Sequence, residues 1–380
     1  ETTFQAVVDP YARADFFLAF SPEGVEIEEG FLTLTSLPGG FLAKIGKLKQ
    51  QVGKVNTLHP HALSWVDKPL MTQNLFGGDD GLADSGVSVS KLIMNPWIFL
   101  EAAGELYQGS SGVFQSYQPS DVSWAGRLRG YRDVTESTNI DVGGSIAYGT
   151  NDAGPDFTTR LAGIDATFRY RPLRRAIYRR LQARTELFWS RRGQEDGNSS
   201  AFGMYASGEY QFARRWFAGA RYDWSERAYD ASLADKGPSL VLTFWPSEFS
   251  QIRSQYRRTR YAEGATANEI LIQFLFSIGA HGAHGFHRAF VDVLDSLGHG
   301  LADEADAAHG HRQHAGQRAQ TDGGHKDQAP HHLVDRTRQR HRNAAQQVGE
   351  TAQRRDALYE TPTDVTRCRE RPPRRSVPRC

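Results

Sequence analysis

The chain of 380 residues holds two cysteines, Cys368 and Cys380, and no stretch approaching the ~18 to 20 consecutive apolar residues that a membrane-crossing helix needs. The first scarcity removes any disulfide framework from the part before residue 287 and suits passage through an oxidising compartment. The second excludes insertion as a helix bundle. It does not exclude a membrane barrel, because strands with one lipid face and one wet face average to a polar value, here a mean hydropathy of −0.55. An excess of basic charge is also missing. Up to residue 286, 29 Lys+Arg stand against 31 Asp+Glu, so no surface for nucleic acid is implied. There is no initiating Met and no charged and apolar leader before Glu1, so the N-terminus reads as truncated.

Composition changes abruptly near one point. All seven Trp precede residue 287, whereas both Cys and nine of the thirteen His follow it. From residue 12 to 280 the dominant signal is alternation with period two over segments of about ten residues, bounded by Gly, Pro, Asn, Asp and Ser. In 202 to 212, Phe202, Met204, Ala206, Tyr210 and Phe212 fall on one face and Tyr205, Ser207, Glu209 and Gln211 on the other. In 216 to 224, Trp216 and Trp224 end an apolar face opposite Arg221 and Asp223, the placement of interfacial aromatic girdles.

Fourteen such segments are legible, starting near 13, 25, 41, 85, 97, 122, 139, 157, 177, 200, 214, 237, 248 and 266. The links between them alternate in length, apart from a medium one at 133 to 138 in a short slot and a short one at 21 to 24 in a long slot. Short ones at 38 to 40, 95 to 96, 171 to 175, 213 to 215 and 246 to 248 interleave with longer polar ones at 54 to 84, 109 to 121, 150 to 156, 191 to 199, 226 to 236 and 261 to 265. Short turns at one end and long loops at the other predict an all-β, transmembrane antiparallel up-and-down barrel.

A soluble sandwich also alternates, but its polar face merely tolerates charge. Here that face carries Lys44, Glu101 and Glu105, then Arg127, Arg129 and Asp141, then Asp165, Arg169, Arg184 and Glu186. Glu209, Arg221, Asp223, Arg253, Arg257 and Glu269 complete it. Charges of both signs suit the lining of a water-filled lumen. Arg127 and Arg129 with Glu101 and Glu105 read either as a transverse field or as a salt-bridge ladder stiffening the wall.

The last alternating segment runs into a tail ending at Phe286, so the barrel domain is read as 1–286. Residues 287–380 are rich in His, Arg, Gln and Ala and lack periodicity. They read as a low-complexity tail, disordered or translated out of frame.

The segment Phe41-Leu-Ala-Lys-Ile-Gly-Lys-Leu-Lys-Gln-Gln-Val-Gly53, with Val7 to Phe20 and Asn56 to Leu70, resembles the phosphate-selective porin superfamily of bacterial outer membranes. The resemblance implies sixteen strands, hence two upstream of the first legible one. It also implies a homotrimer in the lipid bilayer of a Gram-negative outer membrane, passive diffusion of small hydrophilic solutes or ions, and a loop after the fifth strand that folds into the lumen. That loop is 54–84, with His59, His61, Trp65, Asp67, Asp79 and Asp80 as constriction residues. Eight basic and eight acidic residues on the polar face form no basic ladder, so phosphate selectivity does not carry over.

His59-Pro60-His61 is the most unusual feature of the loop. Two imidazoles flanking a proline, with Asp67, Asp79, Asp80 or Asp84 nearby, form a candidate transient divalent-metal (zinc) site at His59 and His61. The plainer alternative is a packed loop stiffened by Trp65, Pro60 and Pro69. A second pair, His281 and His284, is expected at the opposite end. No resident cofactor is expected. No Ser-His pair falls on a strand and no phosphate loop accompanies the Gly-rich turns, so no catalytic residue is assigned.

Overall fold

The protein is described here by a computed structural model covering residues 1–277, except Glu23 and Asp79. The expected end at Phe286, the His281 and His284 pair, the tail 287–380 and the loop residue Asp79 lie outside the described residues.

Alternation makes strands, and the strands follow one another in a single antiparallel sheet. They are β1 (Thr2–Asp9), β2 (Ala12–Ser21), β3 (Gly24–Leu37), β4 (Phe41–Lys49), β5 (Ala83–Ile93), β6 (Phe99–Tyr107), β7 (Ser123–Thr135) and β8 (Thr138–Asn151). After them come β9 (Gly154–Tyr170), β10 (Arg180–Gln194), β11 (Gly197–Ala213), β12 (Trp216–Arg227), β13 (Asp230–Ser247), β14 (Ser250–Arg260) and β15 (Thr266–Phe276). Each pairs with its sequence neighbours in the order β1 to β15, an up-and-down meander. Among the described residues β1 and β15 are paired on one side only.

The count corrects the expectation of fourteen. The added strand, β1, has all eight residues exposed. With neither face buried, its sequence has no reason to alternate, and Val7 and Val8 stand side by side. The links at 150 to 156, 191 to 199 and 226 to 236 are corrected too. Their polar residues extend the strands, so that Arg191 pairs with Ser200 and Arg192 with Ser199, and β10 meets β11 across a two-residue turn. Beyond the apolar band both faces meet water. The backbone ladder still satisfies its own N–H and C=O groups there, but nothing enforces side-chain alternation.

The faces are inverted relative to a soluble protein. Ile164 is 51% exposed and Ile270 75%, while Asp165 is 2% and Glu186 0% exposed. Val87, Val89, Leu106, Leu128, Val142, Ile146, Leu240 and Leu242 likewise face outward. At one end of this band, rings meet across the ladder at Trp124 and Tyr148, at Trp189 and Phe202, and at Phe202 and Trp224. At the other end Trp216 stacks on Phe244 with centroids 4.5 Å apart. From Phe202 to Phe212 on β11, about ten residues at ~3.4 Å each and a tilt of ~40° give a height of ~26 Å. That matches the apolar band of a membrane barrel, ~25 Å tall.

The sheet is curled. Residues near both of its edges, Glu28 of β3 and Arg257 of β14, touch the same connecting segment between β4 and β5.

Ile164→Arg places a charge in the middle of the outward band. Urea unfolding of the protein refolded into lipid vesicles is expected to show a loss of ~2 to 4 kcal/mol. If the exposed face met water, the same change would stay within ~0.5 kcal/mol.

Candidate functional site

At Lys49 the chain leaves the sheet, and it returns at Ala83. The base of this loop is closed by Gln50 N–H donating to the Leu82 carbonyl at 2.9 Å. Asn56 locks the closure: its Nδ2 donates to the carbonyls of Gln50 (2.8 Å) and Leu82 (2.9 Å), and its Oδ1 accepts from Leu82 N–H at 2.8 Å. Within the loop lie two 3-10 turns, Val55–Thr57 and Pro60–Ala62, and one short helix, α1 (Leu70–Phe76). Val52, Val55, Leu63, Trp65, Met71, Leu75 and Phe76 pack against Ala125, Ala147, Leu161, Phe188, Ala201 and Tyr205 of the inner wall. Trp65 meets Tyr205 edge to face at 5.6 Å and Phe76 meets Phe188 at 4.9 Å.

Irregular backbone inside a barrel leaves N–H groups without a ladder, and wall side chains supply the acceptors. Glu186 of β10 accepts from the N–H groups of Lys54 (3.0 Å) and Val55 (2.8 Å) and from the Tyr205 hydroxyl (2.8 Å). Glu105 accepts from Gln51 N–H at 2.8 Å, and Ser145 Oγ from Gly53 N–H at 3.0 Å. Gly53 sits at φ 70°, and a Cβ there would run into Glu186 and Phe188, so this contact requires glycine.

Further along the sheet, at β12 and β14, the loop residue Asp67 is the anchor. Its carboxylate accepts from Arg221 Nη2 (2.9 Å), Arg257 Nη1 (2.6 Å) and Gln255 Nε2. Val66 N–H donates to Gln255 at 2.7 Å, and Arg253 donates to the Trp65 carbonyl at 3.1 Å. Asp223 accepts from Arg221 Nε at 2.6 Å, and Glu209 from the Ser64 hydroxyl at 3.3 Å. Burial alone would raise the Asp67 carboxyl, but the Arg221 guanidinium overrides it, with Gln255 and Arg257, and holds it below the usual carboxylate range.

Several of the remaining wall charges pair with one another. Arg127 binds Asp165 at 2.7 Å and Arg129 binds Asp141 at 2.8 Å. Glu101 is 3.8 Å from Arg129. Arg127 therefore pairs with neither Glu101 nor Glu105, and Asp141 also gathers Lys54 (3.6 Å) and Arg169 (3.7 Å). Lys44 lies over the Phe31 ring at 4.8 Å, and Arg184 is buried on the inner face.

The aspartates suggested as partners for the histidines are elsewhere. Asp67 is held by the arginines, and Asp80 is exposed, with Lys68 on its carbonyl. Asp84 accepts from the N–H groups of Gly109 and Ser110. His59 instead meets Glu28 and Glu29 of β3, each at 2.7 Å, and His61 meets Glu1 at 3.1 Å. Sequence reasoning missed these glutamates because adjacent residues of a strand are expected on opposite faces. Asn56, Ser145 and Gln255 were missed as well, since an uncharged polar residue gives no signal that it anchors a distant loop.

The chain matches no family model. An uncharacterised protein of Aquifex aeolicus (strain VF5) is 29% identical, over 75% of this chain and 69% of its own length. Among solved structures, a loop L8 deletion mutant of OmpT, an outer membrane protein of Vibrio cholerae, is 11% identical with a TM-score of 0.49, covering 72% of this chain and 88% of its own. The outer membrane channel DcaP of Acinetobacter baumannii is 12% identical with a TM-score of 0.49, over 73% and 83%. The anion-selective porin of Comamonas acidovorans is 10% identical with a TM-score of 0.46, over 72% and 82%. The architecture rests on this chain's own register and burial.

Asp67→Asn removes the anion between Arg221 and Arg257, at a cost of ~3 kcal/mol. Amides of 63 to 70 are expected to exchange ~100-fold faster with solvent. Because the Asp67 carboxyl is lowered in the folded state, its stabilisation is full at neutral pH. It is lost as pH falls below the ordinary value of 3.8 and through the lowered one. Amide exchange should show this acid loosening of the loop in the wild type, and the part due to Asp67 should be missing from Asp67→Asn.

Proposed function

We propose that the chain forms an outer-membrane channel for passive diffusion of small hydrophilic solutes or ions, with the docked loop setting size and charge limits. The observation that carries this reading is the inverted burial, charge inside and apolar side chains outside, in a sheet curled round an inward-folded segment. A lumen lined by charge favours polar solutes, and a loop tied to both sides of the wall narrows the passage at a fixed place. The two longest links, 50 to 82 and 108 to 122, emerge at the same end, which we assign to the outside. The homotrimer rests on the sequence resemblance alone, and the mass of the detergent-folded species tests it.

Local charge within the lumen is uneven. Around Asp141 cluster Lys54, Arg129 and Arg169, so cations outnumber carboxylates there. Burial, followed by the repulsion of Arg129, pushes the Lys54 ammonium down to about 8. It is charged at pH 7 and loses its charge as pH rises through 8. In a salt gradient across a planar bilayer, the preference is expected to move toward cations between pH 7 and pH 9. Lys54→Met should already show the cation-shifted preference at pH 7 and lack this component of the pH shift.

Deleting residues 57 to 80 is expected to raise single-channel conductance several-fold. Unchanged conductance would contradict the constriction role.

A second reading is a barrel that takes up or binds metal through the same loop. It is favoured by one specific observation: ligand atoms of Glu1, Glu28 and His59 lie within 4.8 Å of one another.

A further inference from the structure

Two consecutive glutamates of β3 reach one histidine, which a regular strand does not allow. Phe17 pairs with Glu29 and Leu18 with Ile27, so Glu28 is the extra residue of a β-bulge that re-aims the side chains inward. Glu28 Oε2 lies 2.7 Å from His59 Nδ1, and Glu29 Oε2 lies 2.7 Å from His59 Nε2. The imidazole is buried and stacked on Phe17 with centroids 4.7 Å apart. The turn at Pro60 brings His61 back over it, with the rings 5.7 Å apart. Glu1 spans the two, its carboxylate 3.1 Å from His61 Nδ1 and 3.6 Å from His59 Nδ1.

We propose that this junction of loop and wall is a binding site for a divalent cation of the zinc type. His59 Nδ1, Glu28 and Glu1 are the ligands, Glu29 is the carboxylate that orients His59, and His61 holds the Glu1 carboxylate in place. The proposal rests on the second reading above and gives it a ligand set. Imidazole nitrogen mixed with carboxylate oxygen suits zinc better than calcium or magnesium. A metal-ligating histidine characteristically donates its other ring N–H to a carboxylate, and Glu29 on Nε2 supplies that partner. Lys49 Nζ, 3.5 Å from His59 Nδ1 and 3.8 Å from Glu28, marks the same spot as one that favours positive charge. It competes with the metal ion for the same ligands. Since His59 belongs to the loop and Glu28 to β3, the bound cation ties the loop to the wall.

The test is calorimetric titration of Zn²⁺ into the full chain folded in detergent. The nine histidines after residue 286 are common to every variant, so they contribute a constant background. One equivalent is expected to weaken at least ~100-fold in His59→Ala and in Glu28→Gln. In Glu29→Gln it should weaken ~10- to 100-fold. Lys49→Met removes only the competitor and is expected to tighten that equivalent ~10-fold. An unchanged titration in His59→Ala and Glu28→Gln overturns the site. Should either fail to fold, Lys49→Met decides, and an unchanged affinity there overturns it as well. Binding is read without ion flux, so a barrel that binds zinc but conducts no ions would sink the channel reading alone.

Discussion

From β2 onward each strand of this sheet has to satisfy two surroundings at once, and the rest of the structure follows from how it does so. With Ile164, Leu240 and Ile270 facing out, the apolar side chains cannot build a core on the outer face. Asp165, Glu186 and Arg221 are enclosed on the inner face instead. Buried charge is costly unless paired. The inner face therefore has to be a network, and its members are set by what each charge can reach across the wall.

The loop between β4 and β5 belongs to that network. A segment of 3-10 turns and one short helix brings backbone N–H groups into an enclosed space, where each needs an acceptor. Glu105, Glu186, Asp223 and Gln255 provide acceptors from four different strands. In return the loop contributes Asp67, the carboxylate that Arg221 and Arg257 share. Inward-facing charges thus hold the loop as well as one another. Arg127 and Arg129, read from sequence beside Glu101 and Glu105, belong to a ladder with Asp165 and Asp141, because those carboxylates lie within reach along the curled sheet.

What was legible in the sequence is what two surroundings impose on a strand. Fourteen strands, the inward direction of residues such as Glu186 and Arg221, and the unusual loop could all be read from period-two patterning. β1 could not, because neither of its faces is buried. The strand extensions beyond the apolar band could not, because water on both sides removes the alternation while the ladder persists. Glu28 and Glu29 were hidden by a bulge, which breaks the rule that makes strand faces readable. The partners of His59 were sought among nearby aspartates in the loop, whereas the fold supplies them from a strand some thirty residues earlier.

The central claim is that the two faces of the sheet meet lipid and water respectively. Spin labels placed singly at 238 to 244 of β13, with Cys368 and Cys380 changed to serine and the protein refolded into lipid vesicles, test it most directly. The account predicts that labels at 240, 242 and 244 collide with oxygen dissolved in the bilayer and are shielded from a water-soluble nickel chelate. Labels at 239, 241 and 243 should show the opposite preference, in strict alternation. Free access of the nickel chelate to labels replacing Leu240 and Leu242 would contradict it.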